Sequence, residues 1–592
     1  MFFKLSKLFI FFSVVSTFLS FSIYPDNNFI CNIDAQKTSF DINPLIYGLH
    51  TARWDESLFP YPKKDMLLTC DRDAIKKIKD AGITLLKYPG GNDADSYVWN
   101  SKDNLASDMD TDEYNEFLLA TGTVGFITIN FSASPELAAE WVDYCNNQKG
   151  YNIKLWEVGD EVWGKWSVCH TTGENYGDKF NKFVSTMKLK DKSIKVAANL
   201  AIAPYLFEWD KKALEKIKDS VDVITFTFYP LQSGKDEVEE KLLKSHHIYI
   251  DWFNQFKEIV KEKMPEKYNN IEYCCVGYNS VDYYPGPITK SLANALYTGL
   301  MLGTYAETKT DMACFWALHN AYPPRDGDYG ILSSDGTNTP YYTYYVLKMF
   351  SEKFLGKLLQ INNSETDDVT IYASLNNNDK LVIVAINKSP EKIINLDTKI
   401  DNFPTKNKVK VFRLSEGEKY VQLQDTSIQD DKLKYDLKPY SITLFEVKNK
   451  DSKSEEINLA KLSEITASGY NQTNPLLSPK SMIDEDEYTR WASPAWVSNN
   501  GTDQQWIMID LKKSYPVNSI QIEWGKSCEK FEVLFSVDNK NWQSIYENKE
   551  TENKTMIPFG NKELHYLKLL LKKGTPGISS YAIREIKILS QE

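Results

Sequence analysis

One pattern constrains the fold of this 592-residue chain more than any other: strand-like and helical segments alternate from residue 45 to residue 320. Helix signals separate the apolar runs, for example the N-cap and first-turn proline at Ser134 and Pro135, ahead of Leu137 and Trp141. Eight apolar runs of strand length fall at residues 45–50, 84–88, 125–130, 154–161, 194–199, 221–229, 271–279 and 311–319. Eight successive βα units predict a closed α/β barrel of parallel strands, the TIM barrel.

In such a barrel the reactive side chains stand at the carboxyl ends of the strands. The residues at or just after these ends are His50, Lys87, Asn92, Asn130, Glu161, Thr227, Gly277 and Trp316. These eight positions are the first candidates for a functional site.

Two further regions follow the barrel. After residue 354 the hydrophobic period changes from helical to two, in runs at 369–373, 381–386, 409–414 and 442–447, which predicts an accessory β-sandwich over 355–448. Residues 449–457 are charged and read as a linker, and residues 458–592 form a separate all-β module. The barrel domain then spans 24–354, with the alternative that its first strand joins the sandwich.

The amino terminus predicts export. Lys4 and Lys7 precede an uncharged apolar run that reaches Pro25, the pattern of a secretory signal peptide, which we place at residues 1–23. The alternative is an uncleaved anchor helix, since the run is nearly long enough to span a bilayer. Either reading predicts a secreted, extracellular or cell-surface protein, and six Asn-x-Ser/Thr sequons fit a glycoprotein.

Charge and cysteine content exclude some classes of function. Lys and Arg number 69 against 81 Asp and Glu, a net charge of -12, so the chain lacks the basic surface that nucleic acid binding requires. The eight cysteines include no CxxC pair, which argues against a zinc site and leaves a few disulfides possible, with their pairing open.

The strongest chemical signal is a strand that ends in two acids, Asp160 and Glu161, flanked by Trp156 and Trp163. A carboxyl group at a barrel strand's end, in a partly apolar surround, has the raised pKa that a general acid needs. The alternative for such a residue is a surface or ion-paired carboxylate. Context favours the first reading, because residues 87–99 add a Pro-Gly-Gly-Asn break where the backbone can approach a ligand.

Several segments together carry a family resemblance: YPGGNDADSYVWN, INFSASPELAAEWVDYCNNQKGYNIKLWEVGDEVWGKW, YNSVDYYPGPITKSLANAL and MACFWALHNAY. Over residues 40–448 the chain resembles the α-L-arabinofuranosidase type of glycoside hydrolase, related to family 51 in clan A. The resemblance implies a retaining glycosidase ancestry with Glu161 as acid/base, and Asp160 in place of the motif's Asn. The sugar-binding residues that we carry over are Asn92, Asp160, Tyr229, Asn279 and Trp316.

The chain departs from this family at the seventh barrel strand. The family pattern there resembles Thr-Glu-Tyr-Asn-Ser, whereas this chain reads Val-Gly-Tyr-Asn-Ser at 276–280, so Gly277 stands at the nucleophile position. Glycine has no side chain that can attack an anomeric carbon. Glu272 cannot substitute, because an offset of five residues points it to the opposite face of the strand. Thr227 and Lys87 also replace the family's His and Arg.

The last 135 residues resemble the discoidin, or coagulation factor 5/8 type C, module, which implies a carbohydrate-binding jelly roll. Matching segments include DEDEYTRWAS at 484–493 and QWIMIDL at 505–511. The family's structural calcium site, carried over by position, implies the ligands Asp484, Asp486, Thr489 and Glu585. The alternative is that these acids only cap a turn.

These observations favour a secreted carbohydrate-active protein that binds polysaccharide or glycan on a glycosidase scaffold, with catalysis impaired by the loss at Gly277. One alternative is an active glycosidase that hydrolyses α-L-arabinofuranosides. Another is a surface adhesion protein that uses the discoidin fold, since a fold does not determine its ligand.

Overall fold

A computed structural model describes residues 27–59, 70–102, 104, 107–377, 379–451, 456–472, 477–485, 489–494, 504–526, 528–548, 553–574 and 580–591. The predicted signal peptide, residues 1–23, lies outside this range. The chain divides into two compact units, Met1–Asp451 and Ser452–Glu592. Within the described ranges, no helix has the length and apolar character needed to cross a bilayer. All eight cysteines are free in the structure, and none of the disulfides that the sequence left possible is formed.

The first unit contains the predicted TIM barrel. After β1 (Asn28–Asp41), which belongs to a different sheet, eight parallel strands form a closed barrel. They are β2 (Gly48–His50), β3 (Leu85–Tyr88), β4 (Val124–Ile129), β5 (Leu155–Val158), β6 (Lys195–Asn199), β7 (Val223–Phe228), β8 (Glu272–Tyr278) and β9 (Met312–Phe315). Closure comes from the pairing of β2 with both β3 and β9. The strands β3, β5 and β9 are buried along their whole length, as expected of parallel strands covered on both faces.

Among the described residues, eight α-helices accompany these strands. They are α1 (Arg72–Asp80), α2 (Thr111–Thr121), α3 (Pro135–Val142), α4 (Gly173–Lys190), α5 (Phe207–Ile217), α6 (Glu239–Lys263), α7 (Leu292–Thr308) and α8 (Tyr342–Lys353). The predicted start of α3 is confirmed: the Ser134 side chain accepts a hydrogen bond from the Leu137 amide, and Pro135 occupies the first turn. The helix α2 begins with a capping box between Asp110 and Glu113.

The accessory β-sandwich follows the barrel in the same unit. A short hairpin, β10 (Ala321–Tyr322) and β11 (Gly327–Asp328), precedes it. Its own strands are β12 (Lys357–Asn362), β13 (Val369–Asn376), β14 (Lys380–Asn387), β15 (Ile394–Asp401), β16 (Thr405–Ser415), β17 (Glu418–Gln422), β18 (Thr426–Gln429), β19 (Lys432–Leu437) and β20 (Ser441–Asn449). The strand β1 lies between β12 and β15, and pairing of β16 with β20 closes the sheet on itself. The first strand of the described chain therefore belongs to the sandwich and not to the barrel.

In its described residues the second unit contains only β-strands and short 3-10 turns, as predicted. Its strands are β21 (Glu456–Asn458), β22 (Glu464–Ala467), β23 (Trp491–Ala492), β24 (Gln505–Lys526), β25 (Cys528–Ser536), β26 (Gln543–Glu547), β27 (Lys554–Gly574) and β28 (Ala582–Gln591). The long strands β24, β27 and β28 are antiparallel neighbours. Trp491, Ile520, Leu567 and Ile586 are fully or almost fully buried in its core.

Candidate functional site

The site begins at a turn that follows β5. Gly159 and Glu161 both adopt left-handed backbone conformations, with φ of 72° and 52°. Two hydrogen bonds hold this turn: the Asp160 amide donates to Asp95 Oδ2 at 3.1 Å, and the Glu161 amide donates to Asn199 Oδ1 at 2.9 Å. A left-handed conformation is unfavourable for a glutamate and persists where its surroundings impose it. The turn directs the Glu161 carboxyl group into a cavity at the carboxyl end of the barrel.

Glu161 has the environment of a general acid. Its carboxyl oxygens accept hydrogen bonds from Thr227 Oγ1 at 2.5 Å and from Trp166 Nε1 at 3.0 Å. Burial, followed by the nearby charge of Asp160, raises the pKa of Glu161 to about 7. No lysine, arginine or histidine of the described chain forms an ion pair with it. A carboxyl group in this state still holds its proton near neutral pH and can donate it.

Asp160 belongs instead to a buried charge network inside the barrel. Lys87 Nζ lies 2.7 Å from Glu157 Oε2 and 3.2 Å from Asp160 Oδ1, and neither Lys87 nor Glu157 is exposed. Thr128 and Thr225 donate to the Glu157 carboxylate at 2.7 and 2.5 Å. The two acids raise the pKa of Lys87 against the effect of its burial, so the lysine stays charged. Lys87 therefore supports the turn at Asp160 and Glu161 from inside the barrel.

Asn92 joins this motif to the cavity. Its side-chain amide donates to the Asp160 carbonyl at 2.8 Å and to Asp160 Oδ2 at 3.1 Å. Asn92 and Asp160 both line the cavity. Asp160 thus presents a carboxyl group to the cavity. When this group is ionised, it accepts hydrogen bonds and cannot donate them.

Gly277 lies on β8 beside Thr227 of β7. A Cβ atom built on Gly277 would be 3.0 Å from Tyr229 Oη and 3.3 Å from Thr227 Cγ2. The Tyr229 hydroxyl group therefore occupies space that a longer side chain at 277 would need. Glu272 lies at the other end of β8 and forms a surface ion pair with Lys195 at 2.6 Å, so it does not replace the missing carboxylate.

The cavity has a volume of about 680 Å³, which is in the range of pockets for small ligands. Its lining residues include His50 and Gly277. His50 Nε2 donates to the Val276 carbonyl, which leaves His50 Nδ1 buried and without a hydrogen-bond partner. Aromatic residues supply much of the wall: Trp54, Trp163, Trp166, Tyr205, Phe228, Tyr229, Trp252, Tyr283, Tyr284, Trp316 and Tyr329. Flat aromatic faces in a concave site are suited to the apolar faces of sugar rings.

The structure brings together most of the residues selected from sequence. The cavity is lined by Asn92, Asp160, Glu161, Tyr229, Gly277 and Trp316. Asn279 is not part of the lining: it is fully buried, and its amide donates to the Trp316 carbonyl at 2.5 Å and to the Tyr329 carbonyl at 3.3 Å. Its oxygen accepts from Asn294 Nδ2 at 3.0 Å. Asn279 therefore holds the Trp316 segment in place and does not reach a ligand.

Sequence reasoning missed the outer aromatic residues. Trp166 packs edge-on against Trp163 and Tyr283, with ring centroids 5.2 and 5.9 Å apart. Tyr205 is exposed beyond β6 and contacts Trp252. Trp166 and Tyr205 both follow shortly after the end of a barrel strand, and this position was the available signal. The sequence did not show that the loops that carry them line the same cavity.

A second cluster lies in the C-terminal unit. Thr489 Oγ1 donates to the Asp484 carboxylate, at 2.9 Å from Oδ1, and Glu585 Oε2 accepts from the Glu485 amide at 3.2 Å. Glu585 Oε1 is buried without a hydrogen-bond partner. Burial and the charge of Asp484 raise the pKa of Glu585 to about 8. Three of the four predicted calcium ligands thus lie together, and Asp486 lies outside the described residues.

A closed parallel barrel with a carboxylic acid after its fourth strand, in an aromatic cavity, is the arrangement typical of barrel glycoside hydrolases. Residues 131–286 match the glycosyl hydrolase family 79 N-terminal domain, and residues 464–585 match the F5/8 type C domain. The match to family 79 was not anticipated, because the sequence motifs pointed to family 51.

Individual relatives narrow the class of glycoside hydrolase that this chain resembles. The probable α-L-arabinofuranosidase C of Aspergillus clavatus is 30% identical over 201 residues, 28% of this chain and 40% of that protein. An intracellular exo-α-(1→5)-L-arabinofuranosidase of Bifidobacterium longum is 23% identical over 250 residues, 36% of this chain and 44% of that protein. The matched segments thus span less than half the length of these relatives.

Structural similarity extends further along the chain. The α-L-arabinofuranosidase of Thermotoga maritima superimposes with a TM-score of 0.61 at 19% identity, over 71% of this chain and all of that one. The GH51 enzyme of Thermotoga petrophila gives 0.62 at the same identity and coverage. The chain therefore has an α-L-arabinofuranosidase-like glycoside hydrolase scaffold followed by a discoidin-type module.

Proposed function

We propose that this protein is a secreted carbohydrate-binding protein whose barrel cleft takes a sugar but lacks the enzyme nucleophile of its scaffold. One observation carries the proposal: Gly277 and the Tyr229 hydroxyl group stand where a retaining glycosidase needs a carboxylate, while Glu161 and the aromatic walls remain. Retaining hydrolysis requires two carboxyl groups about 5–5.5 Å apart. With only one of them, the scaffold can bind a sugar and protonate it but cannot form the glycosyl-enzyme.

Export is supported by the sequence of residues 1–23, and a carbohydrate ligand by the F5/8 type C match at 464–585. Polysaccharide or glycan is the partner that both units accommodate. The aromatic cavity supports a sugar ligand more directly than the discoidin-type module does, because the same module fold binds other ligands elsewhere.

Replacement of Trp166 by alanine is expected to weaken sugar binding at least tenfold, because its indole forms an exposed wall of the cavity and bonds Glu161. The measurement is calorimetric titration of the full-length protein with the oligosaccharide that it retains best on a glycan array. Val168→Ala is the matched control, since Val168 is 79% exposed and does not line the cavity. Equal affinities of the Trp166 variant and the native protein would show that the cleft is not the binding site.

We also propose that the C-terminal unit holds a structural calcium ion. Glu585 is buried, has one oxygen without a hydrogen-bond partner and lies close to the half-buried Asp484, and such a pair of acids fits a hard cation with oxygen ligands. Asp484, Thr489 and Glu585 would supply side-chain oxygens, and Asp486 is a further ligand by position in the sequence. A bound calcium ion would neutralise the acids and tie Asp484 and Thr489 to β28.

Calcium is expected to raise the melting temperature of one of the two units and leave the other unchanged. At a calcium concentration 100-fold above Kd, the gain in free energy of unfolding is about 2.7 kcal/mol, or roughly 10 °C for a unit of this size. Differential scanning calorimetry of the full-length protein, with calcium and with a chelator, measures this shift. Glu585→Gln should abolish the shift, and Glu563→Gln, at an exposed position on β27, should not. A shift that persists in the Glu585 variant would place the ion elsewhere.

A further inference from the structure

Three differences from the retaining pattern occur around one point of the cleft. The carboxylate at position 277 is absent, Thr227 replaces a histidine on the neighbouring strand, and Asp160 replaces an asparagine. All three positions line the same cavity, and the hydroxyl group of Tyr229, a residue that the family pattern shares, lies beside position 277. In a glycoside whose leaving group is trans to the C2 substituent, the nucleophile attacks from the face on which that substituent lies.

We propose that the cleft takes a sugar with an acetamido group at C2, and that this group is the nucleophile in place of the missing carboxylate. The inference rests on the proposed function, since it requires that the barrel cleft bind a sugar. It names the ligand class that the native protein should prefer over a sugar with a C2 hydroxyl group. Assistance by a substrate's own amide is a known alternative to an enzyme carboxylate in glycoside hydrolysis.

Asp160 and Tyr229 offer complementary hydrogen bonds to an acetamido group. Asp160 has one bond from Lys87 and one from Asn92 on its two oxygens, so each oxygen has a lone pair left for an N–H donor. The Tyr229 hydroxyl group can donate to the acetamido carbonyl oxygen. Burial and the charge of Glu161 raise the pKa of Tyr229 well above its ordinary value, so the phenol keeps its proton.

The position of Tyr229 matches the place of reaction. Its Oη lies 3.0 Å from the Cβ that a glutamate at 277 would have, which is within the space of that glutamate's side chain. A carbonyl oxygen held there by the phenol would lie beside the anomeric carbon, opposite the leaving group. Glu161 reaches the cavity from β5, the third strand before β8 in the barrel order, and can donate its proton to the leaving oxygen.

The chemistry balances with the bound sugar, Glu161 and one water molecule. In the first step the acetamido oxygen forms a bond to C1, the bond from C1 to the leaving oxygen breaks, and the Glu161 proton passes to that oxygen. The positive charge on the resulting oxazolinium ion lies largely on its N–H, which donates to Asp160. In the second step water adds to C1, its proton returns to Glu161, and the C1 bond to the acetamido oxygen breaks. The anomeric configuration is retained.

The experiment compares matched pairs of substrates with the full-length protein. These are the 4-nitrophenyl N-acetyl-β-D-glucosaminide and N-acetyl-β-D-galactosaminide, each against the corresponding hexoside with a free C2 hydroxyl group. We expect turnover of an acetamido substrate at least 100-fold above that of its partner. The thiazoline analogue of the matching N-acetylhexosamine, which mimics the cyclised intermediate, should bind at least tenfold tighter than the free sugar.

Variants separate the roles of the two residues. Asp160→Asn, which places the family's residue at this position, should lower the acetamido preference at least tenfold, and Tyr229→Phe should weaken thiazoline binding at least tenfold. Tyr144→Phe is the matched control, because its hydroxyl group bonds Asp112 on the outer surface of the barrel. An acetamido preference that survives Asp160→Asn unchanged would contradict the role of Asp160.

The outcomes distinguish this inference from the proposed function. If the cleft binds both members of each pair equally, the C2 inference is wrong and carbohydrate binding stands. If acetamido sugars bind but are never hydrolysed, assistance by the acetamido group is wrong. If no sugar binds in a manner that depends on Trp166, the proposed function itself fails.

Discussion

Substitution of Gly277 by glutamate is expected to turn the protein into a retaining α-L-arabinofuranosidase, with hydrolysis of 4-nitrophenyl α-L-arabinofuranoside raised roughly 10³-fold or more. The new carboxylate would complete the pair with Glu161 across the cavity. Gly277 has no left-handed backbone conformation, so a Cβ atom fits there once Tyr229 and Thr227 move by a few tenths of an ångström, and the rest of a glutamate side chain requires the Tyr229 hydroxyl group to move aside. The measurement is kcat/KM of the variant against the native protein.

The matched control is Gly277→Gln, which has the same size and no nucleophile, and should remain inactive. Added azide or formate should partly rescue the native protein by supplying an external anion at the same place. Because a second carboxylate would raise the pKa of Glu161 further, the alkaline loss of activity should fall at or above pH 7. Equal activity of the Glu and Gln variants would show that position 277 does not face the anomeric carbon.

This substitution also bears on the acetamido inference. A glutamate at 277 would displace the Tyr229 hydroxyl group and fill the space in which an acetamido group would lie. Gly277→Glu should therefore gain activity on the arabinofuranoside and lose it on the N-acetylhexosaminides. Opposite changes on the two substrates from one residue would be difficult to explain by a general effect on folding.

The second large effect is expected on stability. Lys87→Met removes the ion-pair partner of Glu157 and Asp160 and leaves two buried carboxylates uncompensated. Loss of one member of a buried pair costs about 3–5 kcal/mol. For a unit of this size the melting temperature should fall by roughly 3–6 °C, given about 2.1 cal/mol/K of unfolding entropy per residue.

Calorimetry of the full-length protein can separate this effect from that of calcium, because the two should move different transitions. Lys87→Arg is the control: it keeps the charge and is the residue that the family pattern has at this position. A melting temperature of Lys87→Met within about 1 °C of the native value would mean that the acids take up protons or reach solvent without the lysine.

The buried charge network around Lys87 supports the acid motif, and position 277 lies outside it. Lys87 forms ion pairs with both Glu157 and Asp160, and Glu157 also accepts hydrogen bonds from threonines of β4 and β7, so this network contributes to the stability of the barrel interior. Gly277 has no side chain and takes no part in this network. The support of the acid motif therefore does not depend on the side chain at position 277.

The sequence alone determined the architecture of the two units and the absence of a carboxylate at the nucleophile position. The eight barrel strands, the all-β character of the last module and the absence of a carboxylate at 277 are all local properties: apolar periodicity, turn residues and the identity of one residue in a motif. Glu161 could be selected because a strand's carboxyl end in a barrel is a position that the chain order defines.

Only the tertiary structure decided which side chains share the cleft. Asn279 and Tyr229 both stood in recognisable motifs, yet Asn279 holds a buried segment while Tyr229 lies beside Gly277. Trp166, Tyr205 and Tyr283 meet from three loops, and Glu585 meets Asp484 across about a hundred residues of chain. Local pattern determines which residues form a strand, but the direction of a side chain at its end depends on packing between segments far apart in sequence.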